Sequence, residues 1–498
     1  MNRFLLPISS LFLLLIFLFS GLGKSQTIPN KPNLQESNFD GQLILNNSSQ
    51  ELPLRLDDAV YLALQNNRDL KIAYLQRILD QKQLAETESQ FNPTFTPQLS
   101  LNFNKNQAGN NTNNDITTAL GANFNLKIPT GGNLSLTWQG QNLLSGTSSL
   151  SDTNTLSQSV NLNFSQPLLK DFGRELNTLS IKKARLTENA NVLNLKNTIS
   201  QTITNTILSY RNLLLAQERL KIEQLSFTNA KKDLERLQAL FEFGRISKND
   251  LVQRQADIAQ QEVNLVNTQS SLEQAIYELI KIIDLPTTKK LIAIETPTPP
   301  TSLNLPAFTE MLELAKTNNI GYLAAVNAVE NAKFAIAEAK NQQKLDLKLN
   351  LIYGFNSASN DQSANNIGSS LILNREFGNL RQNNTLVKSE ISLQNANYTL
   401  AKTQDNLNEE LKNKIRNVKD TFKQIELAQQ ARKLAEAKII NAKERMRLSS
   451  NISMTDIINF EKSLVDAQNQ ELNAIINHLN SITLLEQFLV ITLSEWVK

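Results

Sequence analysis

The stretch FEFGRISKNDLV, residues 241–252, returns near the far end of the chain as RLSSNISMTDII, residues 447–458. Ile246, Ser247, Asp250 and Leu251 fall opposite Ile452, Ser453, Asp456 and Ile457. Each copy interrupts a long run of helix formers. Between Pro167 and Pro286 the only glycines are Gly173 and Gly244, and beyond Gly378 neither Gly nor Pro occurs. Such runs far exceed the ordinary three-turn helix. At 1.5 Å per residue, the runs 174–243 and 379–449 predict rods about 105 Å long, and their duplication marks a molecule that spans distance.

Within these rods the apolar period is seven. Leu213, Leu220, Phe227, Leu234 and Phe241 form one seam, and Leu386, Leu393, Leu400 and Leu407 form another. Seven-residue spacing is the mark of coiled helices. Return helices are expected over 248–284 and 453–495, and entering helices over about 55–90 and 307–343. Asp57 and Asp58 complement the dipole at the start of the first of these. An entering and a returning helix laid end to end have about the length of the long helix between them, in both halves. The first repeat is thus 53–285 and the second 307–498. Residues 286–306, with Pro297, Pro299, Pro300 and Pro306, form a linker expected at mid-height.

Between the helices the period drops to two. Phe95, Leu99, Leu101 and Phe103 alternate with Thr96, Gln98, Ser100 and Asn102, and three similar segments follow within 93–168. Leu345, Leu347, Leu349, Leu351, Tyr353 and Phe355 repeat the pattern within 345–376, where a shorter strand near 367–373 follows. Alternation of this kind predicts strands with one apolar and one polar face. Residues 107–115 and 143–155 are expected as long polar loops, whereas Pro129-Thr130-Gly131-Gly132 is a tight turn. Unequal connections of this sort suit a transmembrane barrel, and a soluble β-sandwich is the alternative.

Residues 1–25 read as a signal peptide. Arg3 precedes the apolar run 4–20, and Gly23 and Ser25 stand at the −3 and −1 positions of a cut before Gln26. Residues 26–52 are expected as a flexible lead. Loss of Arg3 and Lys24 would take the net charge from +3 to +1, which gives no footprint for nucleic acid. Cysteine is absent, so neither disulfides nor a lipidated cysteine contribute. Catalysis is not expected: the single histidine, His478, lies in a helical pattern and reads as a packed residue, and no phosphate loop, metal-ligand spacing or nucleophile motif is present. No cofactor is implied. Asp57-Asp58 and Glu409-Glu410 read as helix-start and solvated-face carboxylates.

Three pieces together resemble the TolC-type outer-membrane efflux proteins: LRLDDAVYLALQNNRDL at 54–70, FSQPLLKDFGRELN at 164–177, and the tip motif Phe241-x-x-Gly244-x-x-Ser247-x-x-Asp250-Leu251. The resemblance implies a mainly α protein with a membrane β-barrel, in which three copies share one barrel and one hollow helical cylinder. It implies a periplasmic adaptor docked at the helical tips, an inner-membrane pump behind it, and outer-membrane lipid around the strands. Gly244, Arg245, Ser247, Asp250, Ser450 and Ser453 become the candidate docking residues. Asp456 falls at the pore-facing tip, where threefold symmetry makes a carboxylate ring, with Asn459 one turn on as a polar layer. The chain departs from the family pattern at Arg447, Ser450 and Ile452, where an aromatic, a glycine and a basic gate residue are usual, so a gate of the family's own kind is in doubt. Either four or six strands per chain, hence twelve or eighteen in a shared barrel, fit the pattern. An adhesive coiled-coil stalk and a porin without adaptor are the competing functions.

Overall fold

A computed structural model describes residues 51–108, 111–147, 153–286, 290–359, 363–378, 380–448, 452–492 and Trp496. The signal peptide, most of the lead and Ser450 lie outside these residues. The remaining body, 50–493, is one unit. No described helix is long and apolar enough to cross a membrane.

The chain enters through strand β1 (Glu51–Leu54), helix α1 (Leu56–Asn66) and helix α2 (Arg68–Glu88). Four long strands follow: β2 (Thr94–Ala108), β3 (Asn111–Lys127), β4 (Asn133–Thr147) and β5 (Thr153–Pro167). After the short turn of helix Arg174–Asn177 come α3 (Leu179–Glu242, 64 residues) and α4 (Lys248–Ile283). Strand β6 (Lys290–Ala293) lies inside the proline-rich linker and pairs in parallel with β1. The second repeat has α5 (Phe308–Asn318), α6 (Ile320–Gln342), β7 (Asp346–Ala358), β8 (Ser363–Asn374), α7 (Leu380–Leu448, 69 residues) and α8 (Met454–Phe488).

Both entering helices break where one was expected. Asn67 and Asn319 leave helical geometry with ψ of 127° and 120°, and each side chain accepts the amide of the residue three positions on, Leu70 and Tyr322. An asparagine oxygen that satisfies a helix-start N–H favours a new helix over continuation of the old one. Of the two pieces in each half, α2 and α6 make the more extended contacts with the long helices α3 and α7. Asn67 Nδ2 donates to the Ile282 carbonyl at 2.9 Å and Arg68 pairs with Asp284 at 2.9 Å, which sets the start of α2 against the end of α4. Helix α1 turns aside to pack against α3 and α4, near the β1–β6 pair. Tyr210 of α3 donates its hydroxyl to the Leu54 carbonyl at 3.0 Å, which ties that pair to the rod. The return helix expected over 453–495 ends at Phe488. Val490 then takes a left-handed φ of 56°, which a β-branched residue adopts only at a cost.

The six long strands form one antiparallel sheet in the order β2-β3-β4-β5-β7-β8, so the chain uses six strands. They are 12 to 17 residues long, because the polar stretches expected as loops are largely paired. Asn111–Asp115 hydrogen-bond with Asn104–Ala108, and β4 and β5 extend to Thr147 and Thr153. The tight turn is as expected: Gly131 has φ +98°, and a Cβ there would collide with the Asp171 carbonyl. Gly173 donates its N–H to the Thr130 carbonyl at 3.0 Å, which joins this turn to the passage from sheet to helix.

Candidate functional site

The register aligns the alternation of every strand. Phe95 pairs with Phe124, Phe124 with Leu136, Leu136 with Leu162, Leu162 with Tyr353, and Tyr353 with Ile367. Paired residues share a face of a pleated sheet, so one apolar row crosses all six strands. The neighbouring row on the opposite face holds Thr96, Asn123, Thr137, Asn161, Gly354 and Asn366. The apolar face is left uncovered: Leu99 is 74 %, Phe103 70 % and Ile367 81 % exposed. A soluble sandwich would bury this face against a second layer. On β3 the apolar run from Leu126 to Ile116 covers about 34 Å along the strand. At a tilt near 40° it rises about 26 Å, the height of the lipid-facing band of outer-membrane barrels.

The sheet is open at β2 and β8. Six alternating strands give these two edges opposite directions, so β8 of one copy can continue the antiparallel ladder onto β2 of the next. The helices show the same two-sided arrangement. Beside the sheet they pack in the order α2-α3-α6-α7, and toward the tips as α4-α3-α8-α7. The first-repeat edge exposes Ile72, Leu75 and Leu79 on α2 and Val263 and Val266 on α4. The second-repeat edge, α7, exposes Val387, Ile391, Leu427 and Leu434.

The helices that follow the two tips start alike. Helix α3 ends at Glu242, two residues before Gly244, whose φ of +69° suits glycine, and the Gly244 and Arg245 amides donate back to Phe241 and Leu240 carbonyls at 2.8 Å. Ser247 then caps α4: its Oγ accepts the Asp250 amide at 3.2 Å, while Asp250 Oδ2 accepts the Ser247 amide at 3.3 Å. Ser453 and Asp456 repeat this reciprocal cap with both distances at 3.1 Å. Asp456 is exposed and Asp250 half-buried; Asn459 is exposed one turn on. Ile246, Leu251, Ile452 and Ile457 join Leu237, Ile439, Ala442 and Met454 in one apolar cluster. The duplicated motif therefore supplies helix caps through its Ser and Asp and a shared core through its aliphatic residues.

Sequence reasoning missed a second feature two turns above the tips. Arg254 on α4 is 1 % exposed and meets Glu461 at 2.9 Å, Asp257 at 3.0 Å and Asp233 at 3.4 Å. Lys443 adds a contact to Glu461 at 2.8 Å. All four helices contribute. Burial pushes the Asp257 carboxyl above its ordinary range against the opposing pull of Arg254. A buried network of this kind adds little net stability, but removing its one buried cation leaves carboxylates uncompensated, at about 3–5 kcal/mol.

His478 packs in the α7–α8 core, fully buried. Its Nδ1 is 3.1 Å from Thr421 Oγ1, its ring is tilted against Phe422, and burial holds its pKa below the ordinary imidazole value. Among the described residues no cluster of His, Cys, Asp or Glu is arranged to hold a metal ion.

Residues 59–283 match the model of the family described as outer membrane efflux protein, a span from α1 to the end of α4. A comparison with curated protein sequences finds no match. Solved structures resemble the fold across both repeats. The Campylobacter jejuni CmeC outer membrane channel aligns with TM-score 0.64 and 16% identity, over 87% of this chain and 85% of that one. VceC, an outer membrane protein of Vibrio cholerae, gives 0.64 and 17%, over 87% and 95%. The open state of the Neisseria gonorrhoeae MtrE outer membrane channel gives 0.63 and 17%, over 88% and 89%.

Proposed function

We propose that this chain, which belongs to the outer membrane efflux protein family, acts as one third of an outer-membrane exit duct joined to a periplasmic adaptor and an inner-membrane pump. The observation that carries the reading is the sheet: one apolar face about a bilayer high, left bare, between two free edges of opposite direction. Open edges are not tolerated in lipid, so a ring of copies must close them. Three copies give eighteen strands, within the range of outer-membrane barrels wide enough for an aqueous channel. The exposed aliphatic stripes on α2, α4 and α7 support the same ring below the membrane.

The barrel's polar face is lined by amides and hydroxyls: Gln98, Ser100, Asn123, Thr137, Gln139, Asn161 and Asn163. A wall of this kind hydrates a passage without gripping a particular cargo, as suits export of small molecules or secreted proteins. At the tips, Gly244, Arg245, Ser247, Asp250 and Ser453 (with Ser450, outside the described residues) form the docking surface for the adaptor. Asp456 and Asn459 form the narrowest polar layers. Capping occupies Oδ2 of Asp456 and leaves the side chain exposed, which favours a carboxylate ring that attracts cations.

Single-channel recording in planar bilayers separates the readings. A tip-gated duct gives low conductance that rises when the tips are loosened. A stalk gives no conductance, and a porin gives a wide, steadily open pore.

A further inference from the structure

The seam between the two repeats of one chain has counterparts on the chain's outer edges. Beside the sheet the long helix of the first repeat, α3, meets the entering helix of the second, α6, and Lys183 Nζ pairs with Glu338 at 2.7 Å. Lys183 lies ten residues beyond Gly173, and Glu338 lies nineteen beyond the capping Asn319. Ten residues beyond Gly378, on α7, stands Lys388; nineteen beyond the capping Asn67, on α2, stands Glu86. Cations and anions each make up about a tenth of the chain, so composition does not account for the match.

Lower on the rods α3 meets α8, where Arg211, thirty-eight residues beyond Gly173, donates to Asn480 at 3.3 Å and to Thr483 at 2.9 Å. The residue thirty-eight beyond Gly378 is again an arginine, Arg416 on α7. Asn480 and Thr483 lie 27 and 30 residues beyond the cap Ser453; at the same distances beyond Ser247, on α4, stand Gln274 and Tyr277. Amide answers amide, and hydroxyl answers hydroxyl. Charge is not simply copied with the fold: Arg77–Glu188, an ion pair inside the first repeat, is answered by Val329 and Leu393 in the second.

Within one chain these counterparts do not meet, because α7 is one edge of the helical row and α2 and α4 are the other. Glu86, Gln274, Tyr277, Lys388 and Arg416 are all exposed. Among the described residues neither Glu86 nor Lys388 forms an ion pair.

We infer that the interface between copies repeats the interface between repeats: Lys388 of one copy pairs with Glu86 of the next beneath the barrel, and Arg416 bonds Gln274 and Tyr277 of the next copy lower down. The inference rests on the ring of copies proposed above. The Lys183–Glu338 pair is partly exposed, so its counterpart adds little stability; it fixes which turn of α7 lies beside which turn of α2.

The chain has no cysteine, so Glu86→Cys/Lys388→Cys places one linkable pair at each boundary between copies. A short, reducible bis-methanethiosulfonate linker is applied to outer membranes, and the products are separated on a denaturing gel. Most chains are expected as covalent dimers and trimers that return to monomers on reduction. Gln76→Cys/Lys388→Cys, displaced by about 15 Å along α2, should link at least fivefold less. Equal linking of the two pairs, or unlinked chains in a variant that native mass spectrometry shows to be trimeric, would overturn the inference. Charge reversal gives a reading without cysteine. Glu86→Lys and Lys388→Glu should each shorten the lifetime of the trimer in detergent at least threefold, and the double variant should restore it within twofold. A double variant no longer-lived than the single ones would overturn the pairing as well. Wild-type protein that is a monomer in detergent would instead sink the ring reading itself.

Discussion

At the scale of single residues, similar side chains carry different burdens. Asp250 and Asp456 make the same cap, so Ser247→Ala and Ser453→Ala should each cost about 1 kcal/mol of hairpin stability, seen as earlier thermal unfolding. Their proposed roles in the pore differ: Asp456→Asn should weaken cation preference in reversal-potential measurements and Asp250→Asn should do much less. Equal behaviour of Asp456→Asn and wild type would leave Asp456 a helix-cap carboxylate only. His478 makes a pH prediction. Its folded pKa is depressed, so the unfolded chain takes up the proton first as pH falls, and the native state loses stability from about pH 6.5 downward. The unfolding temperature should therefore drop more between pH 7.5 and 5 in wild type than in His478→Gln. The reverse order would mean that the imidazole is stabilised in its charged form. Sequence pattern singled out the Ser and Asp of the tips because their spacing is local, but it assigned them to docking and to the pore, and their pairing as reciprocal helix caps came from the structure. It missed Arg254 because Asp233 and Glu461 lie 21 and 207 residues away along the chain, and no local pattern marks which arginine will be buried.

At the scale of elements, the break at Asn67 and Asn319 is the clearest lesson. Helical periodicity continues through both sites, and two adjacent asparagines, Asn66-Asn67 and Asn318-Asn319, were the available signal. The decision lies in tertiary structure: Asn67 is held by the Ile282 carbonyl, which no sequence period announces. Asn67→Ala should lose the cap on α2 and this cross-element bond, about 1–2 kcal/mol together, whereas Asn319→Ala should cost about 1 kcal/mol. Denaturant unfolding of the two variants checks the difference. Strand length was misjudged for a related reason. Residues 111–115 read as loop because they are polar, yet backbone pairing does not require alternation once a hairpin passes the lipid-facing band. Strand β6 was hidden among prolines for want of length. At the tip, Gly244→Leu forces a side chain onto φ +69°, a strain of about 1–2 kcal/mol, with open space around the new Cβ. The variant should still assemble and should fail to export, because the altered turn belongs to the proposed docking surface. Unchanged export would remove the first tip from that surface.

At the scale of the whole molecule, duplication explains both what was readable and what was not. The helical rods, the tips and the strand alternation repeat, so each half corroborated the other, and the class of fold followed from their order. The shared apolar face of six strands needed the register, since periodicity within one strand does not say which face meets its neighbour's. The two halves also leave complementary edges, β2 with α2 and α4 on one side, β8 with α7 on the other, and these are the edges that meet in the proposed trimer. Native mass spectrometry of the mature protein released from detergent micelles tests this most directly. A species of three copies that withstands activation is expected. A stable, folded monomer would contradict the shared barrel, because six strands with bare edges cannot persist in a membrane alone.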